Sequence, residues 1–296
     1  MSGKQKINPF ILSRLNPHDL WSRLVNLKKA PQVAIFDLDG TLHKGFCYQL
    51  WKGLSNIDLS LWLGALLLKK PLQFSAYVRR LLNFKRKLYG DGLWRNHRVE
   101  YGAASGEIQK FIEEVLKGVP YSDIKRAAAE ISRLHFSDAP FCVRRIAENS
   151  QRCALVSRAL YPVLEAYAKR FQQARDLKFS IYGNVLTSED GRIGSLDPER
   201  RILTEADKRA VVLKLLIPLR DHGHTIIFGN GHEDLGMFEI ADDILGSEHA
   251  LKIAIKPRSD MLAAKADVVV ASWKGLKQVL LLSGRQHHAA RAALLI

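Results

Sequence analysis

Long apolar runs are missing from this 296-residue chain. The densest, residues 59–68 (LSLWLGALLL), is ten residues long, well short of the ~18 that a spanning helix needs. A soluble chain is therefore expected. Cysteine is scarce too. Cys47, Cys142 and Cys153 are odd in number and form no Cys-x-x-Cys. A disulfide framework and a cysteine-based zinc site are not expected, and a reducing, cytoplasmic compartment is. Residues 1–30 lack a secretory apolar core, because Lys4, Lys6, Pro9, Arg14, Pro17 and Asp19 interrupt them. There is no internal repeat and no low-complexity tract. Acidic residues are in deficit: Asp and Glu total 30 against 45 Lys and Arg, a net charge of +15.

What is present suffices for a core. Hydrophobic residues make up 47% and charged residues 25%, which excludes global disorder. The length suits one large domain or two modest ones. The positive charge is concentrated. Residues 1–30 set Lys4, Lys6, Arg14, Arg23, Lys28 and Lys29 against Asp19, a net +5. Residues 69–98 set nine Lys and Arg against Asp91, a net +8. An anionic partner (a phosphate ester, nucleic acid or an acidic membrane face) should meet these two segments.

Periodicity divides the chain. VAIF within residues 32–39 reads as a buried strand, followed by a turn at Asp39-Gly40. The pattern then turns helical, with helices expected over 57–70, 72–89, 105–117, 122–136 and 140–149. Further strands are expected at 153–157, 178–182, 225–228, 251–255 and 268–270. A hairpin is signalled at Asp190-Gly191. Helices are expected over 164–173, 206–219, 233–241 and 275–282. Strand–helix alternation on both sides of a helical block predicts an α/β parallel-sheet core with a helical insertion after its first strand. The expected division is a basic arm over 1–30, a core from 31–44 and 140–283, a helical cap over 45–139 and a tail over 284–296.

In open parallel sheets the chemistry sits at the carboxyl ends of the strands. There the sequence places Asp37 and Asp39, two residues apart, before Gly40. A carboxylate pair at a strand end is suited to holding a divalent metal while one carboxylate attacks. The string FDLDGT resembles the first motif of the haloacid dehalogenase-type phosphohydrolases. Ser157 in ALVSRAL matches that family's second motif. Lys208 in TEADKRAVVLKLL matches its third. Gly229-Asn230-Gly231-His232-Glu233-Asp234, continuing as LGMFEIAD, matches its fourth. The stretch ALKIAIKPRSDMLAAKADVVV is similar to the phosphoserine-phosphatase-like branch.

The resemblance implies a Rossmann-like core with a helical cap, Mg²⁺ as cofactor and hydrolysis of phosphomonoesters. It implies that Asp37 attacks phosphorus and forms an aspartyl-phosphate, and that Asp39 protonates the leaving oxygen and then activates water. Thr41, Ser157 and Lys208 would hold the phosphoryl group. Asp37, Asp39 through a main-chain oxygen, Asn230 and Asp234 would hold the metal.

Asn230 departs from the pattern, because the family usually has a metal-binding Asp there. Three readings follow. Asp234 binds the metal with Asn230 as a weaker ligand, Glu233 takes over the lost charge, or the chain is a poor catalyst or a binding protein. The substrate also divides. Apolar and aromatic residues interleaved with Lys and Arg over 57–87 suit an interfacial helix and a lipid phosphate. In this the insertion resembles that of the branch acting on phosphatidylglycerophosphate. The other reading is a self-packed cap whose basic face attracts a small phosphorylated molecule. Nucleic acid ranks third, since no reader motif accompanies the arginines. His232 and His287-His288 read as solvated histidines.

Overall fold

The computed structural model describes residues 11–13, 33–46, 54–90, 110–172, 179–220, 223–278 and 280–281. The basic arm apart from 11–13, Cys47, the charges at 91–98, the first half of the helix expected over 105–117 and the tail lie outside the described residues.

The described strands are β1 (Ile11–Ser13), β2 (Val33–Phe36), β3 (Arg152–Leu160), β4 (Phe179–Asn184), β5 (Leu186–Glu189), β6 (Arg192–Leu196), β7 (Thr225–Gly229), β8 (Ala250–Ile255) and β9 (Val268–Val270). Seven form one sheet in the order β1-β9-β8-β7-β2-β3-β4. All its neighbours are parallel except β1, which pairs antiparallel with β9. β5 and β6 form a separate hairpin, as Asp190-Gly191 predicts. Both turn residues have positive φ, 48° and 72°, the conformation of a type I′ turn.

The apolar run of β2 reflects burial on two faces. Val33 and Ile35 pack with Val212, Leu216, Phe238 and Leu262. Ala34 and Phe36 pack with Val143, Leu164 and Tyr167 on the opposite side. The period of two thus places α6 (Glu205–Leu216), α7 (Leu235–Leu245) and α8 (Asp260–Lys265) on one face. On the other lie α4 (Ala139–Ala147) and α5 (Tyr161–Gln172).

The helical segment between β2 and β3 contains α1 (Ser55–Leu67), α2 (Pro71–Gly90), a π-helical turn at Ile112–Leu116 and α3 (Tyr121–Ile131). Pro71 opens α2, as expected of a proline at a first helical position. α1 packs on α3 and α3 on α5, and α1 also touches β3, so the insertion meets the sheet both through α5 and directly. The loop after the π turn also meets the hairpin, Gly118 N–H donating to Ile193 O at 2.8 Å. No helix among the described residues is long and apolar enough to cross a membrane.

Candidate active site

β2 and β7 are adjacent and in register, Phe36 opposite Phe228. Their carboxyl ends therefore bring Asp37 beside Gly229-Asn230. Asp37 N–H continues the ladder to Phe228 O at 3.0 Å. The chain then reverses through Gly40, whose φ of 80° favours glycine. Thr41 Oγ1 donates to Asp37 Oδ2 at 3.0 Å. The Trp273 indole donates to Thr41 O at 2.7 Å and fixes the loop from below.

Lys208 comes from the opposite side. α6 opens with a reciprocal cap: Thr204 Oγ1 accepts from Asp207 N–H, and Asp207 Oδ2 accepts from Thr204 N–H. That cap fixes the helix start, and Lys208 follows it into the site. Its Nζ lies 2.8 Å from Asp37 Oδ1 and 2.6 Å from Asp234 Oδ1. All three side chains are within 2% of full burial. Burial alone would lower the Lys208 pKa, but the charges of Asp234 and then Asp37 outweigh it and hold the ammonium above its ordinary value. Burial raises Asp37, against the attraction of Lys208. Burial and then the charge of Asp37 push Asp234 up to about 6, again against Lys208. One ammonium thus stabilises two carboxylates that water no longer solvates.

The other Asp234 oxygen, Oδ2, accepts from the Asn230 and Gly231 amides at 2.8 and 3.0 Å. This ties the loop after β7 into a short 3₁₀ turn, His232–Asp234, before α7 begins. Asn230 is fully buried, and its Nδ2 donates to Gly40 O at 3.0 Å. The amide thereby links the two loops.

Ser157 is buried in the second half of β3, where the pairing with β4 shifts register between Val156 and Leu160. A bulge beside a site re-aims side chains. The next residue, Arg158, lies 3.4 Å from Glu233 Oε1, and Arg258 lies 3.1 Å from the same oxygen. Burial would raise the Glu233 pKa, but Arg258 and Arg158 outweigh it and hold the carboxyl at about 2. A Cβ at Gly231 would run into that carboxylate, so a larger residue there would have to displace Glu233 from its arginines. The Glu233 charge is thus committed to two arginines.

Asp39 is partly buried, and its Oδ1 accepts from Ser55 N–H at 3.1 Å, at the start of α1. Burial raises its pKa, while the charge of His43 and hydrogen bonding at Ser55 oppose the rise.

The donor set suits Mg²⁺ in kind: hard oxygens from a carboxylate, an amide and loop carbonyls. It is short of charge. Among the described residues no three of His, Cys, Asp and Glu form a metal-holding group. Both Asp234 oxygens already have donors, Glu233 faces two arginines, and Asp37 shares Lys208.

The structure brings Asp37, Thr41, Lys208, Asn230 and Asp234 into one hydrogen-bonded group, with Asp39 on the same loop. Ser157 lies on the adjacent strand, β3, just past Leu155, which pairs with Phe36. Sequence reasoning passed over Arg158, Arg258, Trp273 and the buried His43–Asp58 pair. The only signal for Arg158 was its place next to Ser157.

A family model described as haloacid dehalogenase-like hydrolase matches residues 34–239. No curated protein matches the chain. Among solved structures, a substrate-bound phosphoserine phosphatase is similar at 18% identity and a TM-score of 0.53, over 84% of this chain and 97% of the other. Cytosolic 5'-nucleotidase IIIB bound to cytidine is similar at 14% identity and 0.62, over 96% of each chain. A protein of unknown function from Bordetella pertussis Tohama I is similar at 18% identity and 0.51, over 78% and 92%. At these identities the likeness concerns the fold. The family match spans more than half of the chain, and the chain belongs to the haloacid dehalogenase-like hydrolase family.

Proposed function

We propose that this chain hydrolyses phosphomonoesters through an aspartyl-phosphate on Asp37. The observation that carries the reading is the buried Asp37–Lys208–Asp234 bridge at the strand ends. A carboxylate oxygen of Asp37 attacks phosphorus as the bond to the leaving oxygen breaks. Asp39 gives its proton to that oxygen. Asp39 then takes a proton from water, which attacks the same phosphorus and releases inorganic phosphate and free Asp37. Lys208 and Ser157 hold the phosphoryl oxygens, with Thr41 orienting Asp37. Asp37, the Asp39 carbonyl and Asn230 would hold Mg²⁺, and Asp234 acts chiefly as the anchor of Lys208. The bound cation would neutralise charge on the ester and so lower the repulsion that Asp37 meets. A phosphate-release screen over soluble monoesters and lipid phosphates, with and without Mg²⁺, tests this. Metal-dependent release from at least one ester is expected, and none from any would sink the reading.

Asn230 makes metal affinity a second measurement. Asn230→Asp adds a carboxylate to the site, and ligand charge tunes affinity for hard cations. Titration calorimetry should show Mg²⁺ binding tightened about tenfold, and half-maximal activity should come at correspondingly lower Mg²⁺. An inactive wild type that gains turnover through Asn230→Asp alone would instead mark a binding protein on an enzyme's frame.

The α1–α2 hairpin favours a substrate or surface that is lipidic. Leu61, Leu68 and Leu72 are 47%, 61% and 85% exposed. Lys69 and Lys70 are exposed between them. Exposed leucines flanked by lysines suit the face of an anionic bilayer. On this reading the protein is cytoplasmic and peripheral at the inner membrane face. Lys69→Gln/Lys70→Gln should weaken co-sedimentation with anionic vesicles about tenfold or more, at ~1 kcal/mol per charge. Equal binding of wild type to neutral and anionic vesicles would remove this part of the proposal.

A further inference from the structure

His43 has no exposed surface. Its Nε2 lies 2.7 Å from Asp58 Oδ2 and its Nδ1 2.6 Å from the Tyr167 hydroxyl. Tyr167 Oη also reaches Ile131 O at 3.1 Å. The imidazole therefore joins three elements: the loop after β2, the first turn of α1 and the middle of α5. Burying this many polar groups is costly unless each is satisfied, and here both ring nitrogens are.

The network leads to Asp39. The loop closes on itself, Gly40 N–H donating to His43 O at 3.1 Å and His43 N–H to Leu38 O at 2.9 Å. α1 has Leu54 at its N-cap and no side-chain cap from that position. The Ser55 amide, one of the donors a helix start leaves open, is satisfied by Asp39 Oδ1 instead. Asp39 thus caps α1. One turn further on, Asp58 ties the same helix back to the loop through His43. Its other oxygen, Oδ1, accepts from Phe46 N–H at 3.5 Å. The chain passes Asp58 so closely that a Cβ at Gly45, where φ is 75°, would lie 2.5 Å from Oδ2. The position of α1 and the orientation of the Asp39 carboxyl are therefore set by the same contacts.

We propose that His43, held between Asp58 and Tyr167, is a positioning residue that aims Asp39 for proton transfer. This rests on the reading of Asp39 as the acid–base group. His43 touches neither substrate nor phosphorus. It acts by holding α1 where Ser55 fixes Asp39. Loosening it should spare attack by Asp37 and damage the proton transfers.

Leaving groups separate these steps. Nitrophenolate departs without a proton, whereas an alkoxide needs one, and a positioned general acid contributes ~10²–10⁴-fold. In Asp58→Asn and His43→Ala, kcat/KM for an alkyl phosphate such as glycerol phosphate should fall about a hundredfold. For p-nitrophenyl phosphate it should stay within about threefold, while kcat falls because water activation also uses Asp39. Tyr167→Phe keeps the ring in place and should give the same selective pattern more weakly, with a smaller fall for the alkyl phosphate and p-nitrophenyl phosphate little changed. Parallel loss of kcat/KM on both esters, or no loss on either, overturns the proposal. A second arm needs no turnover: amide hydrogen exchange at Ser55 in the full chain. It should quicken about tenfold or more in Asp58→Asn, with the β7 amides unchanged, since local opening follows the local contacts. If wild type hydrolyses no ester, the functional reading fails and this arm alone decides the positioning role. Unchanged exchange at Ser55 overturns it.

Discussion

Asp37→Asn should lower phosphate release by on the order of 10⁴–10⁶-fold, the scale seen when a nucleophile is removed. An amide does not attack phosphorus, and no other carboxylate replaces it at that point of the loop. Asp234 Oδ1 is on Lys208 and Oδ2 on two backbone amides. Glu233 is held by Arg158 and Arg258. The fold should survive. Asparagine leaves one acceptor oxygen for two donors, Lys208 Nζ and Thr41 Oγ1, so one hydrogen bond is lost at a cost of about 1–3 kcal/mol. Against this, one of two crowded buried carboxylates is gone, and repulsion on Asp234 falls. The melting temperature should therefore shift by only a few degrees. Acid-quenched wild-type enzyme, mixed with radiolabelled substrate, should carry labelled phosphate that the variant lacks. A variant that turns over at the wild-type rate would show that the nucleophile lies elsewhere.

The site's outline was legible because its residues sit where strong local patterns end. VAIF and IIF are continuous apolar runs, and strands buried on both faces read that way. The chemistry begins with the first polar residue after each. Lys208 was legible only as a match to the third motif, in order after Ser157, and the Thr204 cap that sets its helix emerges from the structure. Other features leave no such trace. β1 is three residues long, lies within a basic arm and is defined only by its pairing with β9. The His43–Asp58 and His43–Tyr167 contacts span 15 and 124 residues, and no spacing rule links a loop, a helix start and a distant helix. A single histidine between a turn and a helix reads as an ordinary core residue. The sequence leaves open whether Glu233 takes over the charge that Asn230 lacks, and the structure pairs it with Arg158 and Arg258. Arg258 follows β8 and reaches it only because β8 lies beside β7. Register is a property of the sheet, and neither strand encodes it alone.

Lys208→Met should be the most damaging change to folding and activity together. Methionine keeps most of the length of the side chain, one atom short, and removes the charge. Asp37 and Asp234 then face the same apolar group, with side-chain exposures of 2% and 0%. Solvent does not screen them, so breaking the bridge should cost about 3–5 kcal/mol. That corresponds to a fall in melting temperature of roughly 10 °C. Turnover should drop by about 10²–10³-fold, the loss expected for one preorganised charge in the transition state. The deficit should depend on pH in a fixed direction. The Asp234 pKa is raised from 3.8 to about 6 even with Lys208 present. A carboxyl whose folded pKa lies above its unfolded value favours folding below the unfolded pKa, and that advantage is lost as pH rises through the folded one. Without the ammonium the folded value rises further. The gap between variant and wild type should therefore be narrower at pH 5 than at pH 8. Adding Asp234→Asn to Lys208→Met should recover stability at pH 8 without recovering turnover, because it removes the repulsion and leaves the phosphoryl group without its cation. Calorimetry on the four proteins of that cycle measures the coupling. If Lys208→Met melts as wild type does at pH 8, the bridge does not hold the two loops together, and the anchoring role of Asp234 fails with it.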